Sequence, residues 1–144
     1  MQNIDDSLLI LTQLVNNKAY FKRILHHLES DYFEFILDKR IFVFIKNFAN
    51  QYGYAPEPLI IKNAMSRLEL TDNDHVQYIN EFIDLIEQQE IVSMDPLLDK
   101  TEEFVKEVEL KLAINESIAI YKGESKNGPE AITAIVKKAL SKTI

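Results

Sequence analysis

The chain has 144 residues, enough for one domain or for one globule with an appendage, and 47% of them are hydrophobic. It has a net charge of −7 and no cysteine, which excludes disulfides, thiolate metal sites and cysteine nucleophiles. No apolar run approaches the roughly 20 residues that span a bilayer, and the first residues lack the features of a signal peptide. We therefore expect a cytoplasmic protein without membrane contact.

The charge is distributed unevenly along the chain. Between Arg67 and Lys100 there are nine carboxylates and no lysine or arginine. Such a stretch repels phosphate, so we do not expect it to bind duplex DNA directly. We interpret it as a solvated helix face, with an acidic docking surface for a basic partner as the alternative. After Tyr121 the chain is basic, with five lysines against two glutamates.

The first half of the sequence predicts three helices. Asn3 is expected to cap the first helix, and Asn17 is expected to open the second. Asp38 is expected to cap the third, which continues through Ile41–Ile45 at helical spacing and ends at Gly53. Eight aromatic side chains of this half are expected to lie in the core, namely Tyr20, Phe21, Tyr32, Phe33, Phe42, Phe44, Phe48 and Tyr52.

The middle of the chain predicts a linker and two further helices. Tyr54–Pro58 is a stiff connection, because its two prolines fix φ and hold the preceding residues extended. A short helix follows over residues 59–68. The next helix is expected to begin at a capping box formed by Thr71 and Asp74, with one inward face made of Val76, Ile79, Phe82, Ile83 and Ile86.

The last third of the chain predicts two helices that pair. Asp95 and Pro96 are expected to open the longest helix, which runs to about Lys122. Asn127–Pro129 opens a final helix that returns antiparallel to it. The predicted fold class is all-α, with a compact helical globule over residues 1–94 followed by a C-terminal antiparallel helical hairpin over residues 95–144.

The predicted hairpin has apolar residues on several sides. At about 100° per residue, Ile114, Ile118 and Tyr121 share one side of the longest helix, while Leu112 lies on another. One partner helix cannot cover all of them, so either the globule packs on the other side or hairpins of two chains pack together. The candidate oligomer interface comprises Leu110, Leu112, Ile114, Ile118, Tyr121, Ile132, Ile135, Val136 and Leu140.

The sequence predicts no catalytic, cofactor-binding or metal-binding residue. Gly123 and Gly128 have the spacing of a phosphate-binding loop, but Pro129 and Glu130 stand where that motif needs Lys and Ser or Thr. We interpret the segment as a hairpin turn. His26 and His27 are adjacent, so on a helix they point in different directions and cannot easily share one metal.

The order of these elements resembles the N-terminal domain of replicative DNA helicases of the DnaB family, and in particular its phage branch. That family opens with a short helix ended by a polar break, an aromatic-led second helix, an aromatic pair before an Arg-apolar-Phe helix, and a Tyr and Pro linker. The matching stretches here are Leu8–Leu28, Asp31–Phe33, Arg40–Phe42, Ile45, Phe48, Tyr52 and Pro56. The similar stretches of the hairpin are Leu97–Phe104, Leu112–Ile120 and Ala131–Leu140.

The resemblance implies a collar domain in a six-subunit ring, paired through its hairpins, that docks primase and in some cases a helicase loader. ATP, Mg²⁺ and single-stranded DNA would belong to a motor domain beyond Ile144, so this domain itself would be non-catalytic. The alternative is a stand-alone helical adaptor or helicase loader that binds a replication protein or single-stranded DNA. Only the lysine-rich C-terminal segment favours that alternative.

Overall fold

Helices and short turns account for nearly all of the observed backbone. A computed structural model describes residues 5–68, 73–88 and 90–144, and within these ranges it has seven α-helices and no strand. The predicted all-α class is therefore confirmed. The helices are α1 (Asp6–Asn16), α2 (Lys18–Ile24), α3 (Ile36–Tyr52), α4 (Pro58–Ser66), α5 (Asn73–Gln88), α6 (Met94–Tyr121) and α7 (Ile132–Leu140).

The chain divides into two compact units, Met1–Leu97 and Leu98–Ile144, and the 28-residue helix α6 contains the boundary. In the first unit, α1 packs against α2, α3 and α5, and α4 packs against α3 and α5. The largest fully buried side chains of this unit include Leu11, Leu14, Tyr20, Ile24, Tyr32, Phe33, Phe42 and Phe82.

Two of the predicted helix ends are confirmed. The Tyr20 amide donates to the Asn17 side chain at 3.1 Å, so Asn17 caps α2. Gly53 ends α3 with φ of 81°, a left-handed conformation that glycine adopts without the steric cost of a Cβ. Asn3 lies outside the described residues. The observed cap of α1 is instead Asp5, whose carboxylate accepts from the Leu8 amide at 2.8 Å.

The prediction that Asp38 caps the third helix is wrong. That helix begins at Ile36, two residues earlier, and Phe35 precedes it without a side-chain cap. Asp38 lies in the first turn, is only 3% exposed, and accepts a hydrogen bond from the Tyr78 hydroxyl of α5. A tertiary contact therefore uses the carboxylate that local sequence assigned to a cap.

Burial raises the pKa of Asp38 to about 6, although the hydrogen bond from Tyr78 opposes the shift; the nearby Asp5 raises the pKa further. The unfolded value is 3.8, so the neutral carboxyl favours the fold. This contribution of Asp38 to the stability of the fold is fully present below about pH 4 and is lost as the pH rises through about 6. The same burial and the hydrogen bond to Asp38 also raise the pKa of Tyr78, which keeps its hydroxyl protonated as the donor.

We expect Asp38→Asn to remove this pH dependence while keeping an acceptor for Tyr78. Relative to the wild type, the variant should gain on the order of 2 kcal/mol of stability between pH 4 and pH 8. Urea unfolding at several pH values measures the difference. A difference in the free energy of unfolding between the two proteins that stays constant across this pH range would contradict the raised pKa of Asp38.

The remaining helix starts and faces differ from the predictions in four places, and one predicted cap is not tested. Thr71 lies outside the described residues, and Val76 is exposed while the other four residues of its predicted face are buried. Helix α4 begins at Pro58 and ends at Ser66. Because α6 begins at Met94, Asp95 lies within its first turn. A 3-10 turn over Pro129–Ala131 precedes α7.

The predicted aromatic core is correct for five of its eight members. Phe44 and Phe48 are half-buried, and Tyr52 is 52% exposed. These rings lie along the C-terminal half of α3, where Phe48 contacts both Tyr52 and Tyr54. The exposed Tyr52 and Tyr54 therefore extend the core outward as a surface aromatic cluster.

Two polar side chains of α1 hold the end of α5. Gln13 is fully buried, and its amide donates to the Glu90 carbonyl and accepts from the Val92 amide, both at 3.1 Å. Asn16 donates to the Ile86 carbonyl at 2.8 Å. Carbonyls in the last turn of a helix lack hydrogen-bond donors within that helix. The Asn16 side chain of α1 supplies the donor for one of these carbonyls, that of Ile86.

Candidate functional site

The second unit folds back on itself. After α6 ends at Tyr121, Gly123 turns the chain with φ of 76°. At the far end of α7, the Lys142 ammonium lies 3.5 Å from the Glu109 carboxylate of α6. This contact, together with the intervening turn, sets α7 antiparallel to α6. It also gives one lysine of the basic C-terminal segment an internal partner.

The glycine-spaced loop between these helices is organised around a carboxylate. The Ser125 hydroxyl donates to Glu116 Oε1 at 2.6 Å, and the Asn127 side-chain amide lies 3.4 Å from the same oxygen. The backbone amide of Asn127 donates to the Ser125 hydroxyl at 3.2 Å. Two side-chain donors of this loop are therefore directed to a carboxylate of the protein itself, and the backbone amide of Asn127 is directed to the Ser125 hydroxyl.

The candidate interface residues differ in exposure. Ile114 and Ile118 are each 47% exposed, Tyr121 is 86% exposed and Leu140 is 63% exposed. Leu112 is exposed as well, whereas Leu110, Ile132, Ile135 and Val136 are half-buried. In the stretch where the two helices pair, the buried apolar positions include Ala113, Ile120 and Ala139.

Four of these residues form a continuous apolar stripe on α6. At about 100° per residue, Leu110, Ile114, Ile118 and Tyr121 fall within about 80° of the helix circumference. From Leu110 to Tyr121 the stripe is about 16 Å long, since each residue rises about 1.5 Å. It adjoins the buried side that carries Ala113 and Ile120. We call these four residues the α6 stripe. Leu112 points about 160° away from Ile114 and does not belong to it.

The described residues contain no grouping of His, Asp or Glu side chains that could hold a metal ion. The rings of His26 and His27 contact each other, with centroids 4.2 Å apart. None of the helices in the described ranges is long and apolar enough to cross a membrane.

No known protein family matches this chain, and no curated protein matches it either.

The structure also contains a groove that no sequence motif predicted. It has a volume of about 550 Å³ and lies between the ends of α1 and α2 and the segment 53–58 that follows α3. A smaller depression of about 200 Å³ adjoins it and shares Phe21, Lys22 and Gly53. One sequence signal points to this region: residues 17–28 and 39–56 contain no Asp or Glu but six Lys and Arg residues.

Proposed function

We propose that the chain is an assembly module whose hairpin packs against the hairpin of a second copy. The α6 stripe carries this proposal, because three of its four apolar side chains remain substantially exposed on a well-formed helix. Leu110, Ile114 and Ile118 recur every four residues, and such a row forms the ridge that packs into the groove of a neighbouring helix. A second copy fits as the occupant, because a helical stripe is self-complementary under a two-fold axis.

The size of the stripe indicates a weak contact between isolated domains. A face about 16 Å long and about 10 Å wide is far smaller than the roughly 800 Å² that each partner buries in a standard stable interface. Such a contact suits a protein in which another domain already holds the copies together. This fits the resemblance to a collar that is tethered to a motor ring.

We therefore propose, more specifically, the collar domain of a phage replicative DNA helicase acting in the cytoplasm of the host cell. In this role the domain pairs through its hairpin in a six-subunit ring and docks primase or a loader. Catalysis, ATP, Mg²⁺ and the DNA strand belong to the motor domain in this proposal. The acidic segment between Arg67 and Lys100 is consistent with a collar that does not itself hold DNA.

Reading the coding frame downstream of Ile144 tests the helicase assignment. A continuation into Gly-x-x-x-x-Gly-Lys followed by Ser or Thr would support it. A stop codon directly after Ile144 would instead favour a stand-alone adaptor or loader. Titration of the chain with the primase encoded in the same genome tests docking separately, and saturable binding that tolerates moderate salt is the expected result.

A further inference from the structure

A second binding surface lies on the first unit, in the groove beside α2. Its floor is apolar: the half-buried Val15 and Ala55 line it together with the buried Phe21 and Pro56. Its volume of about 550 Å³ is within the range of about 300–1,000 Å³ that is typical of ligand pockets. The floor therefore suits a few apolar side chains of a ligand.

The rim of this groove is positive. Lys18 and Lys22 are exposed on α2, one turn apart, and both line the groove. Neither forms an ion pair with any residue that the structure describes. Lys46 lines the adjoining depression. Glu57 is the one carboxylate among the residues that line the two cavities.

The opposite rim is aromatic. Tyr54 lines the groove and is 59% exposed, and its ring contacts Phe48 at a centroid distance of 5.7 Å. A tyrosine held in this way offers a large contact area at low conformational cost, which is typical of protein-binding surfaces. The groove thus combines an apolar floor, a cationic rim and an aromatic rim.

We propose that this groove binds an acidic amphipathic peptide segment of a partner protein, with apolar side chains on the floor and carboxylates beside Lys18 and Lys22. Charge complementarity identifies the partner, because two unpaired lysines on an acidic protein attract carboxylates locally. The proposal does not depend on the assembly role of the hairpin, which lies in the other unit.

A peptide suits the groove better than a nucleic acid or a second copy does. A single DNA strand brings one phosphate per nucleotide to a protein of net charge −7, and only Tyr54 among the lining residues offers an exposed ring. A second copy brings another net charge of −7. A short peptide needs carboxylates only opposite the lysines, and its aliphatic side chains match the floor.

The test uses the full chain and two short fluorescein-labelled synthetic peptides. In the first, Leu and Phe recur at helical spacing, two Glu stand one helical turn apart to match Lys18 and Lys22, and Gln fills the other positions; in the second, both Glu are Gln. Fluorescence anisotropy measures binding between about 50 and 300 mM salt. We expect the acidic peptide to bind with a dissociation constant of about 10–100 µM. We expect the Gln peptide to bind at least about 10-fold more weakly.

Substitutions on the two rims locate the binding. Lys18→Glu combined with Lys22→Glu should weaken binding of the acidic peptide at least about 10-fold. Tyr54→Ala should weaken it several-fold without any change of charge. The matched control is Lys137→Glu combined with Lys138→Glu, which makes the same change of charge at two exposed lysines of α7. This control should leave the affinity unchanged, and amide shifts on titration should cluster at Phe21, Lys22 and Gly53.

Four results would overturn the proposal. The first is no binding of the acidic peptide at millimolar concentration, and the second is an equal loss in the α7 control. The third is tighter binding of an oligothymidine that depends on Lys18 and Lys22, which would make the groove a nucleic-acid surface. The fourth is loss of self-association in the Lys18 and Lys22 variant, which would make a second copy the occupant.

Discussion

Replacing Ile114 and Ile118 together by Glu is expected to abolish self-association of the chain. Both side chains are 47% exposed at the centre of the α6 stripe, so the substitutions leave the buried side of α6 intact. In a symmetric pair each substitution acts twice, and it both removes apolar contact and buries a carboxylate. We expect the dissociation constant to rise at least about 100-fold.

Sedimentation equilibrium up to about 1 mM protein measures this effect, because a contact of this size is expected to be weak. Lys138→Glu is the matched control: it changes the net charge by the same two units at an exposed position of α7, away from the stripe. It should retain the wild-type association. A wild-type chain that is monomeric at the highest concentration, with the double variant unchanged in mass, would refute the assembly role.

Gln13→Ala is expected to cause the largest loss of stability from a single polar substitution. It removes both hydrogen bonds that hold residues 90 and 92, and it leaves a cavity at a fully buried position. We expect a cost of about 2–4 kcal/mol in the free energy of unfolding. Amide hydrogen exchange provides a specific readout, because the Val92 amide loses its acceptor and should exchange at least about 10-fold faster.

Gln51→Ala provides the matched control, because Gln51 is an exposed glutamine in the last turn of α3. This change should alter stability by no more than about 0.5 kcal/mol. Urea unfolding compares the three proteins. An equal cost for the two substitutions, or an unchanged Val92 exchange rate in Gln13→Ala, would show that the two hydrogen bonds do not stabilise the α5–α6 connection.

Local signals predicted those parts of the fold that local energetics determine. Asn17 and Gly53 were correctly assigned because a cap needs only the neighbouring amides and a left-handed residue needs only the absence of a Cβ. Helix spacing also resolved Ile41–Ile45, which a short apolar run leaves ambiguous between helix and strand. These features depend on residues within a few positions of one another.

The features that were mispredicted or missed depend on partners far away in the sequence. Asp38 looked like a cap, but its partner Tyr78 is 40 residues away. The partners of Gln13 are 77 and 79 residues away, and no periodicity identifies a glutamine as fully buried. Tyr52 continued the apolar spacing of α3, yet nothing in the sequence indicated that packing ends before the helix does. The groove likewise forms only where α2 and the segment 53–58 pack side by side, and these two segments are far apart in the sequence.

Pro56 and Pro58 give the wall of the groove a further property. A proline ring fixes φ in the folded and in the unfolded chain alike, so ordering this segment costs little conformational entropy. The wall is therefore preorganised, and a ligand does not have to select one conformation from many. The entropy lost on binding then falls mainly on the long side chains of Lys18 and Lys22, which can follow ligands of slightly different length. A rigid wall opposite an adaptable one favours recognition of a class of segments over a single sequence.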